Sequence, residues 1–498
     1  MDIDSKGVFF MCKKNKNCQK QLQGHVRDSI QTKMKNENIA DKSIELFLEY
    51  LTKVYNDYKG IIPESDIEPL SKGMICSIEE IITEENKNKG KELLKKTVIL
   101  KLNGGLGTGM GLDKAKSLIE VKKGSSYLDI IATQVRNIRK KFGIVFPILF
   151  MNSFATSKDT IEFIEKKYKD LPIKGLRLEM IQNKYPKIKK ENFFPADHSD
   201  DSLNWNPPGH GDIYSTLDTT GLLDELLNFG IKYAFISNAD NLGAVFSESI
   251  VGFMENEKIN FVMETAKRTE SDKKGGHLAK DKERNKLKLR ERANCSEKEI
   301  KFFEDINKWS DFNTNNLWIN LETLKTKLID GKFDLDLIVN EKRNNPQKKE
   351  EKGTHEDNVK VYQLETAMGS AVGNFEKACA IRIDTTRRFF PTKKISDLMI
   401  LRSDAIRIND DGIIELNGRN TKPFVELDKE LYKTIDDLEE LCQELPSLKY
   451  CDRLKVIGPG KVIFGKNVVL KGDIFIENKE NATCKIENIT LDNCSIIC

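Results

Sequence analysis

Residues 97 to 121, TVILKLNGGLGTGMGLDKAKSLIEV, constrain the fold more than any other stretch of the chain. Val98, Ile99, Leu100 and Leu102 make a short apolar, partly β-branched run that predicts a buried strand, and it breaks at once into Gly104, Gly105, Gly107, Gly109 and Gly111. A core strand ending in a loop almost without side chains can take φ > 0 and lets a bulky anion approach its backbone N–H groups, while Lys114 and Lys116 follow closely enough to neutralise charge. The spacing predicts a phosphate site. It also excludes two familiar users. Counted from Gly105 and Gly107, the last glycine of the dinucleotide motif would fall on Met110. A Walker loop ahead of Lys116-Ser117 would need glycines where Ala115 and Met110 stand.

Beyond the loop, apolar runs at 144–151, 176–181, 233–237, 260–264 and 317–319 alternate with helical periodicity at 126–140, 157–169 and 221–229. This alternation predicts an α/β fold with a largely parallel sheet and helices on both faces, with ligands at the carboxyl ends of the strands. Upstream, residues 1 to about 38 are rich in Lys, Asn and Gln with little periodicity and predict a mobile tail. From Asp41, Ile44, Phe47, Leu48, Leu51, Val54, Tyr55 and Tyr58 describe an amphipathic helix ending at Gly60, and a second helix is expected over 77–96. The dense polar run 341–360 reads as a solvated surface loop, in preference to a regulatory insertion. Past residue 400, short β-branched units at 406–416 and 454–497 flank a helical stretch at 430–444. The repeated turn-plus-strand pattern suggests a β-solenoid, with an ordinary small β-sheet as the competing arrangement. The expected organisation is a tail and helical segment over 1–96, a main domain over 97–400 and a C-terminal domain over 401–498.

A chain of 498 residues is too long for one compact core, and 39% hydrophobic residues suffice for two or three. The net charge of +3 is a small difference between 81 basic and 78 acidic side chains, which argues against nucleic-acid or membrane-surface partners, since both need one sign to dominate a face. No run of about 18 apolar residues occurs, and no apolar stretch after Met1 is long enough for a signal peptide, so a cytosolic protein is expected. The ten cysteines show no CxxC pair and are expected to stay reduced. The glycosylation-like triplets at Asn294, Asn481 and Asn488 then carry no weight.

LNGGLGTGMG followed by KS closely resembles the nucleotide-binding signature of sugar-nucleotide pyrophosphorylases, in particular the eukaryotic type of UTP–glucose-1-phosphate uridylyltransferase, or UDP-glucose pyrophosphorylase. The resemblance continues in the family's order through MNSF at 151–154, QNKYPKI from Gln182, PPGHGDIY at 207–214, SNADNLGA at 237–244, KGGHL at 274–278, FNTNNLWI at 312–319, QLETAMGSA at 363–371 and RFFPTKKISDL at 388–398. FGKNVVLKG near residue 464 carries it into the tail. The resemblance implies a Rossmann-like, GT-A-like nucleotidyltransferase domain with a C-terminal left-handed parallel β-helix from about residue 452, through which some members form homo-oligomers. It also implies transfer of uridylyl from UTP to α-D-glucose 1-phosphate, giving UDP-glucose and pyrophosphate reversibly and without a covalent intermediate.

Such a reaction needs in-line attack and a cation on the triphosphate. Asp240 ends the apolar run YAFISNAD, where a carboxylate is well placed for Mg²⁺, and the matching family aspartate is associated with the metal. Lys116 and Lys393 match lysines that contact the phosphates and stabilise the α-phosphate during attack. His210, between Gly209 and Gly211, matches a residue beside the sugar phosphate and has no need to act as a base. Gln182 is expected on the uracil edge with backbone groups of Leu102, Asn103, Gly104, Gly105 and Gly209, and Asn238 beside the nucleotide. Gly276, Glu264, Asn313, Asn315 and Glu365 match strand-end positions that would meet glucose hydroxyls. Four departures bear on loop charge, sugar selectivity and pH dependence: the family usually reads GPKS where Lys114-Ala115-Lys116-Ser117 stands, Ser or Thr at Gly109, Thr at His277 and a small polar residue at Lys394. The alternatives are a UDP-N-acetylhexosamine or broad-specificity pyrophosphorylase and, in another class, a nucleotide-binding scaffold without turnover.

Overall fold

The computed structural model describes residues 21–71, 73–270 and 272–498. They form two compact units, each discontinuous in sequence. The first comprises the described residues up to Gly60 with Lys184–Asn206 and Leu337–Leu364; the second comprises Ile61–Asn183, Pro207–Asp336 and Glu365–Cys498.

In the first unit the expected helix is present as Asp41–Tyr55, and it packs Phe47 against Tyr185 with ring centroids 4.8 Å apart. A further helix, Gly24–Asn36, occupies part of the stretch expected to be a mobile tail. The residues of that tail before 21 lie outside the described residues. Only Val26, Ile30 and Met34 face its core, spaced by four, and polar composition hides so sparse a stripe. The polar run 341–360 also departs from a solvated loop. The strand Leu337–Arg343 extends into it, and Asp357, fully buried, accepts hydrogen bonds from Thr354 N–H at 2.8 Å and Asn345 Nδ2 at 2.8 Å and meets His198 Nε2 at 3.2 Å. One buried carboxylate thus pins a segment whose remaining charges face water.

The second unit is built on an 11-stranded sheet. Its main path runs Ile75–Ser77, Ala378–Arg382, Phe261–Lys267, Asp311–Asn320, Tyr233–Asn238, Thr97–Asn103, Ile148–Asn152, Glu179–Ile181. Neighbours are parallel except Asp311–Asn320, which runs antiparallel to both of its neighbours, so the sheet is mixed rather than nearly all parallel. The hairpin His277–Asp281 with Leu287–Arg290 adds further antiparallel pairing, and Asn285 supplies the positive φ of 55° its turn requires. Sequence periodicity exposes only the end of Asp311–Asn320, because its first half buries Asn and Thr side chains instead of apolar ones. Alternate residues of the strands feed two cores. Ile99, Phe150, Phe235, Val262 and Trp318 lie on one face, and Val98, Leu100, Leu149, Met151, Ile236 and Met263 on the other.

The expected helix over 77–96 is broken into Ile78–Ile81 and Glu84–Leu93. Ser77 and Thr83 each cap a new helix start, which ends one helix and begins the next. In the C-terminal part, Phe424–Leu427, Ser447–Ile457, Val468–Glu477 and Ile489–Ile497 pair in parallel in that order, and Val462–Phe464 pairs in parallel with Cys484–Ile486. Leu454, Val456, Val462, Phe464, Leu470, Ile474 and Ile476 are buried in one continuous cluster. Cys484 and Cys498 are joined by a disulfide with Cα atoms 6.1 Å apart, which corrects the expectation that all cysteines are reduced. Parallel stacking brings the chain end back beside Cys484, a proximity that spacing along the sequence does not reveal. Cys12 and Cys18 lie outside the described residues. No helix among the described residues is long and apolar enough to cross a membrane.

Helices Glu84–Leu93 and Glu248–Asn256 approach closely through two glycines. A Cβ on Gly252 would sit 1.8 Å from the Asn86 carbonyl oxygen, and one on Gly90 would sit 1.8 Å from that of Glu248. Gly252→Ala therefore forces backbone apart, and the overpacking, on the order of 1–3 kcal/mol or more, exceeds the roughly 1 kcal/mol gain in helix propensity. A urea titration should show a lower midpoint; an unchanged or higher one would mean that the helices part freely.

Candidate active site

Every residue of the candidate site belongs to the second unit. From Thr97–Asn103 the chain builds outward through Ile148–Asn152 and Glu179–Ile181, then crosses to place Tyr233–Asn238 on the other side of Thr97–Asn103, with Leu102 opposite Asn238. The direction of winding reverses between these two strands. In open α/β sheets ligands bind at the carboxyl ends of the strands at such a point. The glycine loop leaves one strand there and Asp240 follows the other.

The loop closes on itself, with Lys116 N–H donating to the Gly105 carbonyl at 3.0 Å and Gly107 N–H to that of Lys114 at 2.9 Å. A Cβ on Gly104 would stand 2.9 Å from Gln182 Oε1 and push that side chain aside; Gly105 and Gly109 face open space. Asn103 is buried, and its Nδ2 donates to Asn152 Oδ1 at 2.8 Å and Thr160 Oγ1 at 2.9 Å, so its side chain braces the base of the loop. The Leu102 carbonyl accepts Ala239 N–H at 3.0 Å and ties the loop strand to the approach to Asp240.

Lys116 Nζ donates to Asp240 Oδ2 at 2.6 Å and also to the carbonyl of Thr392, whose N–H donates to the Asp240 carbonyl at 3.3 Å. Three distant chain segments therefore meet. Asp240 Oδ1 is buried and has no hydrogen-bond partner. A buried carboxylate oxygen left open in this way fits a cation ligand. No cluster of three ligating side chains surrounds it among the described residues. Lys393 follows Thr392 with an exposed side chain, and its N–H donates to Asp397 Oδ2 at 2.7 Å. Lys394 is likewise exposed, with its N–H on the same carboxylate at 2.9 Å.

Gln182 Nε2 donates to the Gly209 carbonyl at 2.9 Å, which links the glycine loop to His210. Gly209 (φ +77°) and Gly211 press on Thr366, where a Cβ on either would come within 2.4 Å of an oxygen. His210 Nδ1 accepts Met368 N–H at 2.9 Å, and burial lowers its pKa to about 4. With Nδ1 accepting, a neutral ring carries its proton on Nε2, and the half-buried side chain is held against the Met368 backbone instead of standing free as its glycine neighbours would allow.

On the sugar side of the expected site, the Gly276 carbonyl accepts Asn313 N–H at 3.0 Å, and Asn313 Nδ2 donates to Asn315 Oδ1 at 2.8 Å. Asn315 takes a φ of 59° beside the register shift at Glu264/Thr265. Glu365 is half-buried next to Thr366. Glu264 stands apart from these. Its fully buried carboxylate accepts Asn316 Nδ2 at 3.1 Å, Trp318 Nε1 at 2.9 Å, and Arg388 Nε at 2.9 Å and Nη2 at 2.5 Å. It is engaged by the core and not turned to a ligand. Glu291, which sequence reasoning missed, is better placed: a Cβ on Gly276 would lie 2.4 Å from Glu291 Oε2. Burial raises the Glu291 pKa, opposed by the charge of Lys393. Its position directly after the strand Leu287–Arg290 was the available signal. His277 lies behind Gly276, buried and stacked on Trp309 at 4.2 Å, and burial holds its pKa well below the usual range.

The family description of UTP–glucose-1-phosphate uridylyltransferase matches residues 44–471. The UTP–glucose-1-phosphate uridylyltransferase of Hordeum vulgare is 38% identical over 415 residues, 82% of this chain and 83% of that protein. That of Encephalitozoon cuniculi is 36% identical over 444 residues, 89% of this chain and 84% of its own length. Among solved structures, a mutant UDP-glucose pyrophosphorylase of Leishmania major in complex with UDP-glucose has a TM-score of 0.86 at 39% identity, covering 96% of this chain and all of that one. With a match across most of its length and a site assembled at the sheet's reversal point, the chain belongs to the UTP–glucose-1-phosphate uridylyltransferase family.

Proposed function

We propose that this chain transfers uridylyl from UTP to α-D-glucose 1-phosphate, forming UDP-glucose and pyrophosphate reversibly. An oxygen of the sugar phosphate attacks the UTP α-phosphorus in line, without a covalent intermediate. The observation that carries this reading is the meeting of Lys116, Asp240 and the Thr392–Lys393 segment beside a glycine loop at the winding reversal. In it, the backbone from Leu102 to Gly105, with Gln182, Gly209 and Asn238, receives the nucleoside and its phosphates. His210 Nε2–H faces the sugar phosphate as a neutral donor. Gly276, Asn313, Asn315, Glu365 and Glu291 meet the glucose hydroxyls, and Glu264 holds Arg388 in place. Asp240 would hold Mg²⁺ through its open oxygen; that ion supplies charge neutralisation at the triphosphate. Lys116 and Lys393 neutralise charge that grows on the α-phosphate as the bond to pyrophosphate breaks.

In the same reading the catalytic domain expected over 97–400 is GT-A-like and consists of those of its residues that lie in the second unit, without Lys184–Asn206 and Leu337–Leu364, and the parallel coils from about residue 452 are a left-handed β-helix, the surface through which copies of the chain would assemble. A cytosolic location stays part of this reading: among the described residues six thiols are unpaired, and the one disulfide, Cys484–Cys498, lies at the chain's C-terminal coil.

Purified protein given UTP, Mg²⁺ and each of a panel of sugar 1-phosphates should release pyrophosphate fastest with glucose 1-phosphate. Preference for N-acetylglucosamine 1-phosphate would overturn the substrate assignment, and UTP binding without any pyrophosphate would favour the scaffold. Lys393→Ala should lower kcat by about a hundredfold or more and change UTP affinity only a few-fold, because a fixed ammonium adds most where charge develops. Equal losses in both would remove its transition-state role. His210 yields a pH prediction. The unfolded imidazole titrates near 6.5 and the folded one near about 4, so below about 6.5 the unfolded chain takes up a proton that the folded chain refuses. Its contribution to stability is complete above that range and is lost as pH falls towards 4. An NMR titration should find the His210 ring neutral at pH 5.5; a midpoint near 6.5 would contradict the Nδ1 acceptor geometry.

A further inference from the structure

Away from the nucleotide site, the edge of the large sheet holds two thiols in reach of each other. Ile75–Ser77 is the terminal strand of the main path and pairs in parallel with Ala378–Arg382, with Cys76 opposite Ile381. Cys379, two residues before Ile381, shares its face of the sheet, and its Sγ lies 3.7 Å from that of Cys76. Cys379 is buried and Cys76 half-buried, so Cys76 is the more accessible residue of the two. The two are also chemically unequal. The hydrogen bond with Cys379 lowers the Cys76 thiol to about 7, against burial and the nearby carboxylates of Glu80 and Glu257, while the same contact and burial raise Cys379. A nucleophilic thiol at the surface backed by a protonated one is the arrangement that peroxide-sensing pairs need.

We propose that Cys76 and Cys379 are a peroxide-oxidisable dithiol that closes reversibly to a disulfide across the sheet edge. The Cys76 thiolate attacks one oxygen of hydrogen peroxide and breaks the O–O bond; the other oxygen leaves as hydroxide and is protonated to water, and Cys76 becomes a sulfenic acid. The Cys379 sulfur then displaces the sulfenic hydroxyl, which departs with the Cys379 proton as a second water. Two electrons pass from the two thiols to one peroxide, and a dithiol reductant returns them. The sulfurs must close from 3.7 Å to about 2.05 Å. The movement falls on a strand of three half-buried residues at the edge of the sheet, paired on one side only. The bond would join residues 303 apart in the chain, so it constrains the unfolded state of most of the second unit.

The full chain, reduced and then exposed to hydrogen peroxide in its native state, should be alkylated at its remaining thiols, digested without reductant and mapped by mass spectrometry. The expected result is a cross-linked peptide joining Cys76 to Cys379, which dithiothreitol returns to two alkylated peptides. A second readout uses a Cys484→Ser/Cys498→Ser background, which lacks the C-terminal disulfide. In it, oxidation should raise the thermal midpoint by roughly 2–4 °C, and adding Cys379→Ser should abolish the rise and leave Cys76 trapped by dimedone as the sulfenic acid. Cys76 recovered only as free thiol or as sulfinic acid in the otherwise unaltered chain, or bonded to any other cysteine, would overturn the proposal.

Discussion

Everything in the second unit is arranged around the parallel pairing of Thr97–Asn103 with Tyr233–Asn238. Because the chain winds outward from the first strand in one direction and returns on its other side, no helix can cover the carboxyl ends of both. The gap between them is enforced by topology, before any side chain is chosen. The strands themselves are buried on both faces, so their ends are rigid, and the loops they release inherit that position. Lys101 shows how completely the interior is committed. Its buried ammonium donates to Ser237 Oγ at 2.8 Å and the Ala244 carbonyl at 2.9 Å, tying the two central strands beneath the site, and burial lowers its pKa to about 7. Removing the Ser237 hydroxyl would leave the Lys101 amine one acceptor short in the core.

Legibility from sequence followed the kind of force involved. The glycine loop was readable because its residues have one physical use, close backbone approach, and its placement at a strand end follows from the apolar run before it. The strands 144–151, 233–237 and 260–264 were readable because parallel strands buried on both faces are continuous apolar runs. Asp311–Asn320 was mostly invisible because it buries amides whose hydrogen bonds replace apolar packing. The helix Gly24–Asn36 was hidden for the opposite reason, since three apolar residues in a polar segment suffice when its partner surface lies elsewhere in the sequence. The disulfide at Cys498 depends on parallel stacking, a long-range fact.

The contrast between Glu264 and Glu291 is the clearest case. Both are acids at or just beyond a strand, and local sequence cannot separate them. Glu264 accepts from Arg388, Asn316 and Trp318, and its partners arrive from segments up to 124 residues away. Breaking such a pair costs about 3–5 kcal/mol, so the carboxylate is not free to exchange protein donors for sugar hydroxyls. Glu291 keeps its carboxylate uncommitted beside Gly276, with the charge of Lys393 acting on it. Arg388 lies five residues before Lys393, so the buried pair has its own use: it anchors the base of the segment that carries the exposed lysine.

The pairing of Lys116 with Asp240 follows a different logic. Both side chains are 21% exposed, so water partly screens the pair and it holds less firmly than a fully buried one. That hold is small beside the attraction of a triphosphate for an ammonium and of a cation for a carboxylate. The pair holds each group in place and neutral overall, without binding either so strongly that it cannot be exchanged. Thr392 braces the pair: its carbonyl holds Lys116 while its N–H holds the Asp240 backbone, and its hydroxyl is fixed by the buried Tyr127 O–H. The Lys116 ammonium thus rests on a backbone anchor that is itself tied to Asp240 and Tyr127. A glycine loop supplies N–H groups at fixed positions but no net charge, and a strong buried ion pair would supply charge that could not be released. A weak, partly exposed pair set on a rigid backbone meets both needs.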